Sequence, residues 1–207
     1  MLEQLLKFFV VFFVVVEPVS LIPLFSGQTE GASPAYKHKM ALKACVIAGF
    51  ILVIFAFGGA RLLDLMGISL ESFRIFGGLL LFLIALEMVF ARESGTRISG
   101  GERAESMRRA DISVFPLAFP FISGPGALAT ILLWFGPVKI GEQPLLFLGL
   151  LVGVLLVLVL SLGAMWLATP LMRVLGDTGA NVANRLLGVL LGALAVQFVL
   201  DGLRAVL

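Results

Sequence analysis

The sequence contains few of the residues from which enzyme sites are usually built. Its 207 residues include one cysteine and one histidine, and only 14% of them are charged. A single cysteine excludes an intramolecular disulfide and a cysteine metal cluster. The sequence also has no Gly-x-x-x-x-Gly-Lys-Ser/Thr nucleotide motif and no His-Glu-x-x-His zinc motif. We therefore expect neither enzyme activity nor a cofactor, and no ATP-driven transport.

Hydrophobic residues make up 60% of the chain, whereas soluble domains contain about 45–50%. A membrane-spanning helix needs about 20 predominantly apolar residues, and six segments meet this requirement. These segments are residues 4–25, 40–62, 70–91, 112–135, 145–169 and 183–206. The sequence therefore predicts an all-α membrane protein with six transmembrane helices and no soluble domain.

Basic residues lie mainly in the segments that connect the predicted helices. The formal net charge of +2 therefore reflects membrane topology, and we expect lipids rather than nucleic acid as surroundings. Ten of the 15 Lys and Arg residues lie on the side reached after helices one, three and five. Because positively charged loops stay in the cytoplasm, we expect a multi-pass plasma-membrane protein with both termini external.

Two predicted helices are interrupted by proline and small polar residues near their middle. These interruptions lie within residues 8–25, which include Glu17-Pro18, and residues 115–133, which include Ser-Gly-Pro-Gly. Proline removes a helix hydrogen bond that lipid cannot replace. Helices one and four are therefore expected to be discontinuous, and such a pair is typical of a transporter's binding site.

The two halves of the chain resemble each other. Residues 74–83 match residues 185–194 at Arg, Gly and three Leu positions. The polar, charged stretch 92–111 separates the halves, which gives a first repeat at 1–91, a cytoplasmic linker at 92–111 and a second repeat at 112–207. The paired arginines, Arg74 and Arg185, are candidates for interfacial anchors or for a gate.

Each half contains three predicted helices, so the second half enters the membrane inverted relative to the first. The favoured alignment pairs Pro18 with Pro125. A rival alignment pairs Pro18 with Pro120 and Pro23 with Pro125, but it leaves almost no helix after Pro23. The fold prediction is therefore two inverted three-helix repeats, with a site near the midplane at their interface.

Each break begins a new half-helix whose first N–H groups suit an anion, while carbonyls that end the preceding half-helix suit a cation. A zwitterion fits both. The candidate substrate-binding residues are Glu17, Pro18, Ser20, Ser123, Gly124, Pro125, Gly126, Thr130 and Gln197. Structural alternatives remain for each: a helix cap for the acid, a kink for the Gly-Pro-Gly segment, and bonds to the preceding turn or a neighbouring helix for the other polar residues.

Three strings resemble conserved segments of the MarC family, also known as UPF0056 membrane proteins: EPVSLIPLF, FPFISGPGALATIL and RLLGVLLGALAVQFVLDGL. The resemblance covers essentially the whole chain and implies a bacterial or archaeal membrane protein, in the inner membrane if the cell is Gram-negative. It also implies six helices and transport of small neutral amino acids such as alanine, glycine and serine. The family's usual DPxG reads EPVS here, with Glu17 in place of Asp and Ser20 in place of Gly.

The resulting functional hypothesis is a secondary transporter of small neutral amino acids, coupled to a proton or sodium ion. The alternative is a channel, or a passive facilitator or exporter for another small polar solute, although a channel usually has a more continuous polar stripe. Two Gly-x-x-x-Gly pairs, Gly149/Gly153 and Gly188/Gly192, permit close helix packing within the chain or in a homo-oligomer.

Overall fold

The structure, a computed structural model, describes residues 1–90 and 111–206, and in this part all regular secondary structure is helical. Nearly all of the expected linker at 92–111 lies outside the described residues. The helical segments are α1 (Leu2–Val16), α2 (Pro18–Gln28), α3 (Pro34–Leu65), α4 (Leu70–Phe90), the π-helical α5 (Ser113–Ile122), α6 (Pro125–Phe135), α7 (Pro144–Trp166) and α8 (Ala168–Val206).

Within the described residues, five helical stretches are long and apolar enough to cross a membrane. The first consists of α1 and α2, and the others are α3, α4, α7 and the second part of α8. A sixth span results if the bent pair α5 and α6 counts as one. The prediction of an all-helical membrane protein is confirmed, with five or six candidate spans.

The first predicted break lies where the sequence places it. Helix α1 ends at Val16, α2 begins at Pro18, and Glu17 between them has left-handed backbone angles of φ 55° and ψ 61°. A non-glycine residue rarely adopts these angles. The helical path is therefore interrupted at Glu17 and resumes in a half-helix of 11 residues.

The second break is longer. Within α5, Phe115 and Phe119 have extended backbone angles. Each of them precedes a proline, and a proline ring disfavours helical angles in the residue before it. The helical path resumes only at Pro125, and the axes of α5 and α6 differ by 53°. Helix α6, like α2, has 11 residues.

Among the helices of the described residues, four begin with proline at their first position: α2, α3, α6 and α7. Proline suits this position because its ring fixes a helical φ and the first helical residue needs no N–H donor. In α3, the hydroxyl of Ser33 also caps the helix by accepting a hydrogen bond from the N–H of Tyr36 at 3.3 Å.

Two helix starts differ from the prediction by six residues or more. Helix α3 begins at Pro34 instead of residue 40, so His38 lies in its first turns. Helix α8 begins at Ala168 instead of residue 183, directly after α7. Hydropathy identifies only the apolar part of a helix. A helix can continue into polar residues beyond the bilayer, because its backbone hydrogen bonds are internal.

Glycines allow close contact between α4 and α8, the most extensively packed helix pair. A Cβ atom added at Gly78 of α4 would lie 2.8 Å from the carbonyl oxygen of Ala195 in α8. In the opposite direction, a Cβ at Gly202 would lie 2.7 Å from the Ile75 side chain. Small residues hold transmembrane helices together by letting their backbones approach.

Both Gly-x-x-x-Gly pairs face helices of the same chain. A Cβ at Gly149 or Gly153 of α7 would contact Leu5 or Phe8 of α1, and a Cβ at Gly188 would lie 2.7 Å from Met88 of α4. The large exposed hydrophobic side chains lie instead on outward faces, for example Phe50, Phe57, Leu148, Leu155 and Leu186. This distribution is that expected of helices surrounded by lipid.

The substitution Gly78→Ala should destabilise the α4–α8 pair, because its methyl group would meet backbone atoms that cannot move aside. We expect a loss of about 1–3 kcal/mol, typical of overpacking, measured as a lower midpoint of thermal unfolding in detergent. The matched control is Gly58→Ala in α3, where nothing lies within 4 Å of an added Cβ. Equal midpoints for the two variants would contradict this account.

Candidate functional site

Glu17 is a buried acid at the first break, with only 3% of its surface exposed. Its N–H donates to the carbonyl of Phe13 at 3.0 Å, which closes the last turn of α1. Its side chain makes no capping hydrogen bond to the first turn of α2. The break therefore positions an acidic side chain inside the protein.

Ser20 lies one turn after Glu17 and is linked to it twice. Its hydroxyl donates to Glu17 Oε2 at 3.2 Å, and its N–H donates to the Glu17 carbonyl oxygen at 3.0 Å. Ser20 thus bonds to the acid one turn before it, which is the structural alternative that the sequence left open for this residue.

At the second break, Ser123 is fully buried and bonded to the turn before it. Its N–H and its hydroxyl both donate to the carbonyl oxygen of Ala118, at 2.8 Å and 2.7 Å. Thr130 is also buried, and its hydroxyl donates to the Gly126 carbonyl at 2.9 Å. Both hydroxyl oxygens therefore have their proton engaged within the helix and act toward a ligand only as acceptors.

Gly124 and Gly126 permit the close packing of the second break. A Cβ at Gly124 would lie 2.0 Å from the carbonyl oxygen of Pro120, which leaves no room for a side chain. A Cβ at Gly126 would lie 3.1 Å from Leu81 and Ile84 of α4. Glycine at these positions lets backbone groups line the site directly, because no side chain covers them.

The two breaks meet inside the protein. A Cβ at Gly126 would lie 3.3 Å from the side chain of Val15, which is two residues before Glu17 at the first break. The same valine lines a small cavity with Pro120, Gly124 and Pro125. This cavity, called here the break cavity, has a volume of about 20 Å³, which is enough for about one water molecule.

The structure does not bring every predicted site residue to this cavity. Pro18 is buried at the start of α2 and Pro125 half-buried at the start of α6. Gln197 lies on the exposed side of α8, where its side-chain amide donates to Asp201 at 2.7 Å, and it does not line the break cavity. Three of the nine predicted residues line the break cavity: Gly124, Pro125 and Gly126. The other six do not line it: Glu17, Pro18, Ser20, Ser123, Thr130 and Gln197.

Sequence reasoning missed the apolar part of the site. Val15, Leu80 and Ile84 line the break cavity, but each lies in a long apolar run that gives no signal to separate a cavity wall from a lipid-facing side chain. The repeat pattern included α4 through its arginine, one glycine and three leucines, one of them Leu80, but it gave none of these leucines a role in the site. Contacts between distant helices were needed to find these three residues.

One ion pair fixes the approach to the second break. The Lys43 side chain of α3 bonds to the carboxylate of Asp111 at 2.5 Å, and Asp111 also accepts from the N–H of Ser113 at 2.9 Å. The hydrogen bonds from Lys43 and Ser113 hold the pKa of Asp111 below its usual range. In the described ranges, no group of three or more His, Cys, Asp or Glu residues is placed to hold a metal ion.

The substitution Gly124→Ala should disrupt the second break, because its methyl group would overlap the Pro120 carbonyl. We expect a loss of about 1–3 kcal/mol, seen as a lower thermal midpoint and as faster proteolysis of the detergent-solubilised protein. Gly163→Ala in α7 is the matched control, since nothing lies within 4 Å of its added Cβ. If Gly124→Ala is as stable as this control, the close packing at Gly124 is wrong.

Comparison with known proteins identifies the chain's relatives along its full length. It is 36% identical over 200 residues to the UPF0056 membrane protein YhcE of Escherichia coli, which covers 97% of this chain and 92% of that protein. It is 35% identical over 197 residues to a UPF0056 membrane protein of Archaeoglobus fulgidus, with 94% and 90% covered. A UPF0056 membrane protein of Aquifex aeolicus is 36% identical over 201 residues, with 97% and 92% covered.

No solved structure matches the chain. Residues 2–207 match the family described as MarC family integral membrane protein. That match spans both breaks and the long C-terminal helix, so the resemblance of the three short strings extends to the whole sequence. The chain belongs to the MarC family of integral membrane proteins.

Proposed function

We propose that this protein is a secondary transporter of small neutral amino acids such as alanine, glycine and serine, and not an enzyme. The substrate binds where the two helix breaks meet, near the middle of the membrane, and its movement is coupled to a proton or a sodium ion. The observation that carries the proposal is the contact between Val15 and Gly126, which joins two buried breaks from distant parts of the chain.

The helix starts support a repeat relationship between the two halves. The half-helices α2 and α6 both have 11 residues and both begin with proline, at Pro18 and Pro125. The next helix in each half also begins with proline, at Pro34 and Pro144. These pairs are separated by 107 and 110 residues, close to the separation of the matching strings that follow.

Helix contacts support the same relationship. The broken segment of the first half, α1 and α2, packs against α7, and the broken segment of the second half, α5 and α6, packs against α3. Likewise α2 contacts α8, while α6 contacts α4. Exchange of the two halves largely preserves this pattern, as expected of two inverted three-helix repeats around a common site.

The breaks offer a group of suitable chemistry for each charge of a zwitterionic substrate. Neither α2 nor α6 has a side-chain cap. In α2, Pro18 has no N–H and the Ser20 N–H already donates to the Glu17 carbonyl, so the first turn of α6 is the better partner for a carboxylate. The buried carboxylate of Glu17 suits the substrate ammonium or a coupling proton. An intramembrane acid usually has such a functional role.

The size of the break cavity favours a carrier over an open channel. A volume of about 20 Å³ admits about one water, so an amino acid enters only if the helices separate. Transporters reach their site by rocking one repeat against the other. The present arrangement is consistent with a closed state in such a cycle.

Removing the charge of Glu17 should abolish coupled transport without preventing insertion. In proteoliposomes, we expect Glu17→Gln to reduce gradient-driven uptake of labelled alanine by at least about tenfold, the loss that follows when one charge-assisted contact is removed. Glu17→Asp should remain largely active, because aspartate keeps the carboxylate and tolerates left-handed backbone angles well.

Proton and sodium gradients are imposed separately, with glycine and serine as further substrates, and the variants are compared at equal incorporation. Wild-type uptake by Glu17→Gln would exclude the role of this carboxylate. No uptake of any of the three amino acids by the unmodified protein under either gradient would overturn the proposed function.

The proposed orientation places both termini outside and the connections after spans one, three and five in the cytoplasm. A membrane-impermeant thiol reagent should therefore label Gly141→Cys in intact cells, whereas Glu30→Cys and Ser99→Cys should react only after the cells are opened. Gly141 and Glu30 are exposed in loops, and the native Cys45 is buried. The reverse labelling pattern would reverse the topology.

A further inference from the structure

A second cavity lies at one end of the helical bundle, where α1, α4 and α7 begin and α6 and α8 end. This cavity, called here the vestibule, has a volume of about 370 Å³, within the range of about 300–1,000 Å³ typical of small-molecule sites. Its wall combines apolar side chains of α6, α7 and α8 with five polar residues: Gln4, Arg74, Trp134, Gln143 and Asp201.

Arg74 and Asp201 provide opposite charges in the wall of the vestibule, and both are half-buried. In the part of the chain that the structure describes, Arg74 makes no ion pair, so the two charges do not neutralise each other directly. Asp201 accepts one hydrogen bond, from Gln197 at 2.7 Å, and a carboxylate has room for about three more.

Trp134 belongs to the last turn of α6 and lines the vestibule, as does Arg74. Its indole nitrogen is buried and has no hydrogen-bond partner within the described residues. Because this nitrogen is buried, the ring and not the N–H group borders the cavity, and Trp134 can report on a ligand there without donating to it.

These groups define the chemistry of a ligand. A guanidinium binds a carboxylate through paired hydrogen bonds, and the Asp201 carboxylate attracts an ammonium. We propose that the vestibule is a second binding site for a small zwitterionic amino acid, with its carboxylate on Arg74 and its ammonium on Asp201. The choice of ligand rests on the proposed function.

The repeat provides a matched control for this site. Arg185 is the sequence counterpart of Arg74, but it is exposed and does not line the vestibule. An effect of general positive charge would appear at both arginines, whereas an effect of the vestibule would appear only at Arg74.

Trp134 itself can report binding. The chain has two tryptophans, and the other, Trp166, is exposed and stacks edge-on against His38 at 5.3 Å. In full-length Trp166→Phe protein, all tryptophan fluorescence comes from Trp134. We expect a saturable change on titration with L-alanine, with parallel heat in calorimetry.

Substitution should separate the two ends of the ligand. Arg74→Gln should weaken alanine binding by about tenfold or more, while Arg185→Gln leaves it unchanged. Asp201→Asn should weaken alanine but not acetate, which has a carboxylate and no ammonium. Each variant is first checked for a single symmetric elution peak in size-exclusion chromatography. If Arg74→Gln fails this check, the two single variants Arg74→Lys and Asp201→Asn test the same assignment.

The outcomes distinguish this inference from the proposed function. If neither fluorescence nor heat changes with alanine, or if Arg74→Gln and Arg185→Gln bind equally, the vestibule site is wrong, even where proteoliposomes transport alanine. Arg74-dependent binding in Glu17→Gln protein would support a site separate from the breaks. Arg74-dependent binding by a protein that transports no amino acid would leave the vestibule standing and remove the proposed function.

Discussion

The arrangement of the helices depends on one requirement, that backbone groups freed at a helix break be covered by protein instead of lipid. An unpaired N–H or carbonyl in the hydrocarbon core costs several kcal/mol, and the described residues contain two such breaks. The structure meets the requirement by placing the breaks against each other and against α4: Val15 approaches Gly126, and Leu81 and Ile84 close the same region. The two breaks, each of which interrupts its own helix, thus pack against each other inside the bundle.

Glycine makes this covering possible because backbones must come close together. Gly124 leaves room for the Pro120 carbonyl within its own segment, Gly126 admits α4, and Gly78 admits the backbone of α8. Helix α4 therefore packs on α8 with one face and encloses the break cavity with another. The close packing that stabilises the bundle also leaves little space at the breaks, so a binding site there requires movement of a whole helix and not of a few side chains.

The features that the sequence predicted correctly are those with a strong local cause. Pro18 and Pro125 end one helix and begin the next wherever the fold places them, so the breaks could be located from sequence. The start of α8 at Ala168 could not be located from the sequence, because hydropathy gives no information about the part of a helix that lies outside the apolar region. Contacts between helices could not be predicted from the sequence either. Sequence analysis grouped Gln197 with the breaks, but in the structure Gln197 is hydrogen-bonded to Asp201.

Helix α6 connects the two cavities. Gly124 to Ala127 at its beginning line the break cavity, and Leu133 and Trp134 in its last turn line the vestibule. At 1.5 Å per residue, its 11 residues span about 16 Å. Helix α4 contributes to both cavities as well, through Ile84 and Arg74. The bend of 53° between α5 and α6 sets the direction in which α6 runs from the break cavity to the vestibule. Because α4 and α6 form part of the wall of both cavities, a displacement of either helix would change the shape of both.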